Sequence, residues 1–499
     1  MSQSTSFSAE QRRLLPVLLI PAFMTLLAVS SVNVTLPALD ASLNAGPSGL
    51  QWVISGYALT FGVILVAAGR AGDVFGRGRL FLLGLAVFGL GSLLSGFAPD
   101  IITLNLARVL MGIGSGLLNP QVTGIIQQYY RGVQRGKAFG LFGGVIGVSV
   151  AIGPVLAGAL IALFGDEWGW RASFLVNVPI AAFAIVSAWR MLPDSAWRGV
   201  SADDPSSTAP IPVQNGRPVG ERKSRADFDP VGMLLLTAGI LLVMFPFVEG
   251  QLGAWVWSLL AGGIALITVW VLWERRYKRR GRVPMVDMQL FRTRSFASGS
   301  VIIALYFLGF SSVWVLVAQY MQVGLGHEAI AAGLIGLPAA LAGAVVAPIA
   351  GRYVVAVGRK MVLWGMLIGV AGLFGCIFVV FLHETAGGSE WWLLLTLGLL
   401  GVGQGFVVSP NQTLTLADVP VQYAGAAGGI LQTGQRLGTS IGIVAITGLA
   451  FSVVAQRGWD EAFIYGFVAI SAIALVAAAI AAFDLLQTRR ERTRAAVGQ

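Results

Sequence analysis

Two arginines of this 499-residue chain lie inside long apolar segments. Arg108 stands a few residues into the segment that follows Asp100, and Arg436 lies in the run Gln432-Thr-Gly-Gln-Arg436-Leu-Gly. A guanidinium in a lipid bilayer is costly unless it faces a cavity or a partner, although a side chain near a helix end can snorkel to the interface. Two such cations without nearby acids favour an anionic or zwitterionic ligand.

Acidic side chains are missing from the middle of the apolar segments. Of the 23 Asp and Glu residues, Glu249, Asp418 and Asp484 come nearest, and each lies near a segment end. A group that carries protons through a membrane protein is usually a buried carboxylate. The sequence offers no obvious one, so a proton carrier would be either Asp73, at the boundary of a segment, or an acidic residue whose segment is assigned wrongly.

Uncharged polar side chains complete the set that could contact a solute. Each of them, taken singly, is more often a hydrogen bond between helices than a ligand contact. Together with the two arginines, the candidates for substrate binding or coupling are Asn33, Tyr57, Arg108, Asn119, Gln121, Gln319, Gln404, Asn411, Gln412, Gln432, Gln435 and Arg436.

These candidates are positioned by a series of apolar segments, each long enough to cross a membrane. The chain is 56% hydrophobic and 11% charged, far below the roughly 25% charged content of soluble domains. We therefore predict an all-α integral membrane protein of about fourteen helices. Their predicted positions are 14–36, 51–71, 79–98, 101–126, 136–163, 173–192, 231–250, 255–275, 295–320, 330–353, 359–382, 391–417, 424–455 and 462–485.

Basic residues concentrate in alternate connections between these segments. The net charge is +10, and connections after even-numbered segments carry Arg77, Arg79, Arg135 and Arg359, whereas the others carry mostly Asp and Glu. This positive-inside pattern places the chain in the cell membrane with both termini cytoplasmic. It also accounts for the charge without nucleic acid as a partner.

The sequence lacks the residues expected of a metal, redox or nucleotide site. Cys376 is the single cysteine, and His327 and His383 fall in short polar connections. Neither a disulfide framework nor a thiolate metal site can be built, and no Gly-x4-Gly-Lys-Ser/Thr phosphate loop is present. We expect no cofactor and no enzymatic activity.

An internal repeat divides the chain. Gly351-Arg352 and Gly358-Arg359 repeat Gly69-Arg70 and Gly76-Arg77 at a constant offset, with Val355 in place of Asp73. Such repeats are typical of transporters built from two similar halves. The predicted division is a six-helix half at 1–192, a linker at 193–230, two inserted helices at 231–275, a basic and amphipathic linker with a short interfacial helix at 276–294, a second six-helix half at 295–485, and a basic tail at 486–499.

The first copy of the repeated loop has residue types suited to joining helices. Its glycines permit close approach and left-handed turns, Asp73 can accept hydrogen bonds from a helix N-terminus or pair with arginine, and Arg77 and Arg79 hold the turn on the cytoplasmic side. The spacing of Gly69, Asp73, Gly76, Arg77 and Arg79 resembles the signature loop of the major facilitator superfamily. We predict a gating latch comprising these residues and, in the second copy, Gly351, Gly358 and Arg359.

The fifth predicted helix has small residues at helical spacing. Gly153-Pro154-x-x-x-Gly158 resembles the motif of the superfamily's antiporters in this helix. Small residues allow close packing and proline bends a helix, so we expect a pliable interface. Its predicted members on one face include Gly143, Gly147, Pro154 and Gly158, with Gly153 beside them.

Two further stretches, 168–179 and 284–296, resemble the fourteen-helix drug:proton antiporter subfamily. Arg108 also resembles an arginine that the family carries in this helix. The resemblance implies export of varied, often amphipathic compounds driven by the proton gradient. One departure is Ala28, where the family pattern usually has aspartate.

The predicted function is therefore a secondary transporter, an exporter of small amphipathic organic compounds by alternating access, with protons as the expected coupling ion. One alternative is an exporter or facilitator of an anionic metabolite or lipid-like solute, without a buried carboxylate for coupling. Another is a non-transporting membrane receptor on the same fold. We expect a monomer whose partners are its solute and the bilayer.

Overall fold

The computed structural model describes residues 6–199, 213–214, 217–218 and 229–497, and almost all of them are helical. The α-helices of these residues are α1 (Ala9–Ser30), α2 (Val32–Leu43), α3 (Gly46–Phe75), α4 (Arg77–Gly96), α5 (Ile101–Tyr129), α6 (Gly132–Leu175), α7 (Asn177–Met191), α8 (Pro230–Glu249), α9 (Ser258–Arg279), α10 (Arg294–Gln319), α11 (Ala329–Leu334), α12 (Leu337–Val357), α13 (Arg359–Ala386), α14 (Leu393–Thr415), α15 (Ala424–Arg457) and α16 (Trp459–Val497). Two short strands, β1 (Val213–Gln214) and β2 (Arg217–Pro218), pair antiparallel.

The prediction of about fourteen membrane-spanning helices is confirmed. Thirteen helical stretches of the described chain are long and apolar enough to cross a membrane, and one of them, Gly132–Met191, has 60 residues. Inside that stretch Gly165 has a left-handed φ of 74°, and a methyl group at Gly169 would meet the backbone of Ile161. The chain therefore reverses its direction at Gly165, and the stretch Gly132–Met191 crosses the membrane twice.

The first predicted helix is divided where the sequence suggested one span. The structure ends α1 at Ser30 and begins α2 at Val32. Pro37 lies inside α2, and a proline cannot donate to the carbonyl four residues earlier and crowds it, which weakens the helix just before it. The junction is fixed from outside by the Ser30 hydroxyl, which donates to Ser149 O of α6 at 3.1 Å.

Helices α1–α7 and α10–α16 pack against each other along two seams, α3 with α15 and α6 with α12. The inserted pair α8 and α9 covers the first seam. Its apolar cluster joins Leu59 and Val63 of α3, Met244 of α8 and Trp270 of α9. The insertion therefore separates the α3–α15 seam from the surrounding lipid.

The linker predictions have mixed outcomes. Most of 193–230 lies outside the described residues. In 276–294, the expected interfacial helix is wrong: only a 3₁₀ turn at Met288–Arg292 forms. Met285 and Val286 are fully buried in the cluster of the inserted helices, so their apolar side chains face protein rather than the membrane surface. The basic tail continues α16 as helix to Val497.

We call the end of the bundle that carries Arg77, Arg135 and Arg359 the basic face. The start of α1 lies there, because Gln11 Nε2 donates to Tyr129 O at 2.8 Å. The far end of α16 lies there too, because Asp484 pairs with Arg359 at 3.1 Å. Both ends of the described chain are thus on the basic face.

Candidate functional site: the seam between the two halves

The side chain of Asp73 joins the two halves at the basic face. Its Oδ1 accepts from Arg77 Nη2 at 2.7 Å and from the Gly425 amide at 3.1 Å. Its Oδ2 accepts from the Ala426 amide at 3.0 Å. Gly425 and Ala426 form the first turn of α15, where a carboxylate satisfies free amides and is favoured by the helix dipole. Asp73 and Arg77 are 3% and 1% exposed, so this contact is shielded from water.

Arg77 extends the same contact to three elements. Its Nη1 donates to Gly124 O at 2.9 Å and to Gln128 Oε1 at 2.8 Å on α5. Its Nη2 also reaches Val421 O, before α15, at 2.5 Å. A guanidinium can hold several acceptors in one plane, so replacement by lysine would not preserve this pattern.

Two glycines of the loop are required by its geometry. A methyl group at Gly69 would overlap the carbonyl of Gly425 and lie 3.0 Å from the Ala426 amide nitrogen. Gly76 has a φ of 104°, which ends α3 and starts α4. Arg79, also predicted in the latch, is exposed. We use the name latch below for Gly69, Asp73, Gly76 and Arg77.

In the second copy of the loop, the arginine equivalent to Arg77 makes its polar contacts within one half only. Arg359 pairs with Asp484 of α16 at 3.1 Å and donates to Asn411 Oδ1 of α14 at 2.7 Å. Val355, at the position equivalent to Asp73, is 48% exposed. Gly358 has a φ of 64°, which a turn between helices requires. The polar contacts of the two loops thus differ: those of Asp73 and Arg77 cross between the halves, whereas those of Arg359 stay within the C-terminal half.

The α6–α12 seam is a contact between backbones on the basic side. A methyl group at Gly136 would overlap Gly351 O, and one at Gly351 would overlap Gly136 O. Further along, a methyl group at Gly147 would lie 3.1 Å from the Ala344 amide nitrogen. Gly136 was not predicted as part of this interface, although it continues the spacing of four from Gly140 and Gly144.

The other small residues predicted to lie on one face of the fifth helix are not all part of this seam. Gly143 faces Ala347 of α12, but a methyl group at Gly153 would meet Ser30 and Ser31 of the first helix pair. Gly158 has no neighbouring atom within 4 Å. The expectation that these residues form one continuous, closely packed face is therefore wrong. The part of α6 before Pro154 packs against α12, Gly153 packs against the first helix pair, and Gly158 has no packing partner within 4 Å.

Polar side chains close the seam between the basic face and mid-helix. Gln127 Nε2 of α5 donates to Leu416 O at 2.8 Å and to Val419 O at 2.9 Å. Thr123 Oγ1 accepts from Gln432 Nε2 at 3.2 Å and from Gln412 Nε2 at 3.4 Å. These bonds join α5 to α14 and α15, and we call this layer of polar contacts the floor.

Above this floor lies a column of two arginines and two rings, which we call the arginine column. Arg108 Cζ lies 4.5 Å from the centroid of the Tyr57 ring, and the Tyr57 and Phe61 centroids are 5.9 Å apart. Arg436 Cζ lies 4.3 Å from the Phe61 centroid. Arg108, Tyr57 and Phe61 belong to the N-terminal half and Arg436 to the C-terminal half, so the column spans the seam.

The comparisons with known proteins agree with this architecture. The sequence profile of the Major Facilitator Superfamily matches residues 18–443. The chain belongs to the Major Facilitator Superfamily. It is 33% identical over 450 residues to a probable actinorhodin transporter of Streptomyces coelicolor, covering 89% of this chain and 73% of that protein. It is 30% identical over 496 residues to the puromycin resistance protein pur8 of Streptomyces alboniger, covering 96% of this chain and 92% of that protein.

Solved structures of the superfamily show the same fold. The crystal structure of the human organic anion transporter MFSD10 (TETRAN) matches with a TM-score of 0.67 at 16% identity, over 95% of this chain and 100% of that one. The proton:xylose symporter XylE matches with a TM-score of 0.61 at 13% identity, over 94% of each chain. This protein is therefore a multi-pass membrane transporter of the superfamily.

The other polar residues predicted for this transporter's site lie elsewhere. Gln121 Nε2 donates to Ala68 O of α3 at 2.8 Å, within the N-terminal half. Asn411 bonds Arg359 and Gly299 O within the C-terminal half. Gln404 faces Gly343 of α12, and Asn33 is exposed. Asn119 contributes its backbone carbonyl to Gln432, at 3.4 Å, rather than its side chain.

Three buried carboxylates of the transporter lie at helix ends, and of these the sequence pointed only to Glu249. Glu249 is 4% exposed, and its Oε1 has no hydrogen-bond partner. Asp229 and Glu274 are 0% and 1% exposed and accept from the indoles of Trp273 and Trp270. All three belong to the inserted pair and its entry. The signal in the sequence was the position of tryptophans one and four residues before Glu274.

Proposed function

We propose that this transporter exports small amphipathic organic compounds by alternating access of its two halves, with the proton gradient as driving force. The observation that carries the proposal is the bond between Asp73 and the first turn of α15, because it joins the halves at one face only. A rocking transporter needs such a contact, which forms in one state and breaks in the other.

We place the basic face in the cytoplasm of a cell, with the protein in the cell membrane and both termini inside. The positive-inside rule supports this orientation. The latch then closes the cytoplasmic side. Each chain contains both halves, which supports a monomer as the working unit.

Export rather than uptake is supported by the relatives. The probable actinorhodin transporter, the puromycin resistance protein pur8, and the tetracenomycin C resistance and export protein of Streptomyces glaucescens are all named for antibiotics. We infer a comparable class of amphipathic solutes for this chain.

Proton coupling needs a carboxylate that gains and loses its proton during the cycle. We propose Glu249 for this role, since it is buried beside α3 with an oxygen that has no partner. In the described chain it forms no ion pair, and an unpaired carboxylate at low exposure is most stable as the neutral acid. Asp73 is a poorer candidate because Arg77 and two amides already stabilise its charge.

Transport in proteoliposomes tests this proposal. Purified protein is reconstituted, a pH gradient and then a membrane potential are imposed separately, and the movement of cationic, neutral and anionic dyes is followed. We expect dye movement against its gradient when a pH gradient is imposed. A protein that binds dyes but moves none under either condition would contradict the proposal and favour a receptor.

A further inference from the structure

The arginine column carries two positive charges with no counter-charge in contact. In the described residues neither Arg108 nor Arg436 forms an ion pair, whereas Arg77, Arg294, Arg359 and Arg457 each pair with a carboxylate. An uncompensated charge within a membrane protein marks a site that a ligand completes. We propose that the column binds an aromatic organic anion, a carboxylate or phenolate, between the two halves; this names a substrate class and rests on the proposed function.

The two arginines have different parts in this site. Arg108 is 1% exposed, and its Nε donates to Val53 O at 2.8 Å while Nη1 lies 3.5 Å from Ala28 O. Backbone carbonyls therefore already hold its guanidinium. Arg108 positions the Tyr57 ring and supplies positive potential rather than a free donor.

Arg436 is the group that contacts the ligand. Its side chain is partly exposed, and within the described chain no hydrogen bond is assigned to its guanidinium. Five N–H donors in a planar fork are thus available for a carboxylate or phenolate, which such a fork binds in its own plane. One turn away, Gln432 forms the floor with Thr123, so the ligand would lie on the external side of the closed seam.

The surroundings of Arg436 fit an aromatic body attached to the anion. Phe61 covers one face of the guanidinium at 4.3 Å, and the seam beside it is lined by Met244. A methyl group at Gly62 would lie 3.1 Å from Met244 Sδ and 3.4 Å from Arg436 Cβ. Aromatic rings stack on guanidinium planes and pack against thioethers, whereas a small inorganic anion would leave this apolar surface uncovered.

The arrangement also connects binding to the conformational cycle. Phe61 is on α3 and Arg436 on α15, the helices that the latch joins at the basic face. A ligand held by both would favour the state in which these helices are close. When the α3–α15 seam opens, Arg436 moves away from Phe61. The ligand then loses its contact with one of the two halves.

Binding of two dyes with a shared xanthene skeleton tests the inference. Fluorescein is anionic and rhodamine 123 cationic; both are measured by fluorescence anisotropy with purified full-length protein. We expect the parent to prefer fluorescein, and Arg436→Gln to weaken fluorescein binding by about tenfold or more, as loss of a charge-assisted bond implies. Rhodamine 123 binding should persist, which also shows that the variant is folded. Arg436→Lys should retain part of the affinity.

Arg457→Gln is the matched control, because Arg457 is an exposed arginine of the same helix paired with Glu461. It should leave both dyes unaffected. A parent without preference for fluorescein, or equal loss of both dyes in Arg436→Gln, would overturn the inference. The exporter proposal can fail separately from the anion site. If fluorescein binds through Arg436 but is not transported, export is contradicted. If rhodamine 123 is exported but fluorescein does not bind, only the anion site is contradicted.

Discussion

The Nη1 atom of Arg108 lies 3.5 Å from the carbonyl oxygen of Ala28, so residue 28 lies next to a fully buried arginine of the seam. Ala28 is 1% exposed. The subfamily pattern that this chain resembles has aspartate here. In this protein residue 28 offers the guanidinium only its carbonyl oxygen, which does not neutralise the positive charge of Arg108.

Replacing Ala28 with aspartate should therefore change charge preference. A carboxylate at this position would pair with Arg108 and cancel one of the two charges in the column, which should lower the ratio of fluorescein to rhodamine 123 affinity by about tenfold. The affinities of the purified variant for fluorescein and rhodamine 123 measure this ratio. Ala28→Asn is the uncharged control of equal size, and an equal effect of both variants would attribute the change to packing.

Asp73→Asn should destabilise the closed basic face. The asparagine keeps one acceptor for the α15 amides but loses the charge that Arg77 neutralises, at a cost of about 2 kcal/mol, typical of a hydrogen bond to a charged group. Dye transport should fall while membrane abundance stays near that of the parent. Transport equal to the parent's at equal abundance would show that the latch does not control the cycle.

Gly147→Leu and Gly158→Leu form a matched pair on one helix. A side chain at Gly147 would meet the backbone of Ala344, whereas Gly158 has open space around it. Overpacking at Gly147 should cost roughly 1–3 kcal/mol and reduce transport. Gly158→Leu should remain active. Rates of dye efflux at equal abundance measure both, and comparable loss at the two positions would indicate that α6 packs differently during transport.

Glu249→Gln tests the proposed proton carrier. The glutamine is neutral at every pH, so it mimics the protonated carboxylate and removes the step in which a proton leaves. Uphill dye transport driven by a pH gradient should be abolished, while downhill exchange of dye across the membrane continues. Glu390→Gln, in the connection between α13 and α14 at the end opposite the basic face, serves as control. Persistence of pH-driven transport would exclude Glu249 from coupling.

The helices of this protein follow from its sequence because a chain in lipid must satisfy its backbone internally, and long apolar runs leave few alternatives. The latch residues were likewise evident from their spacing. The helix that supplies the donors to Asp73 was not: the amides belong to Gly425 and Ala426, and backbone donors carry no signature in the sequence. Only the packing of two distant helices brings them together.

The surroundings of charged and polar side chains are equally hard to predict from the sequence. Glu274 was not among the residues that the sequence singled out, yet the fold covers it with Trp270 and with the Met285 amide, which donates to its Oε2 at 3.0 Å. Gln121 and Asn411 looked like cavity residues, but each is used within one half. A polar residue on an apolar helix can face either a neighbouring helix or a cavity, and hydropathy is the same in both cases.

The central claim is that the latch controls a closed basic face, and the distance between the halves tests it most directly. Spin labels at Arg190→Cys and Lys360→Cys, both exposed on the basic face, are measured by double electron–electron resonance in a Cys376→Ser background. The account predicts a short distance in the parent and a shift of population to longer distances in Asp73→Asn. An unchanged distribution in Asp73→Asn would contradict it.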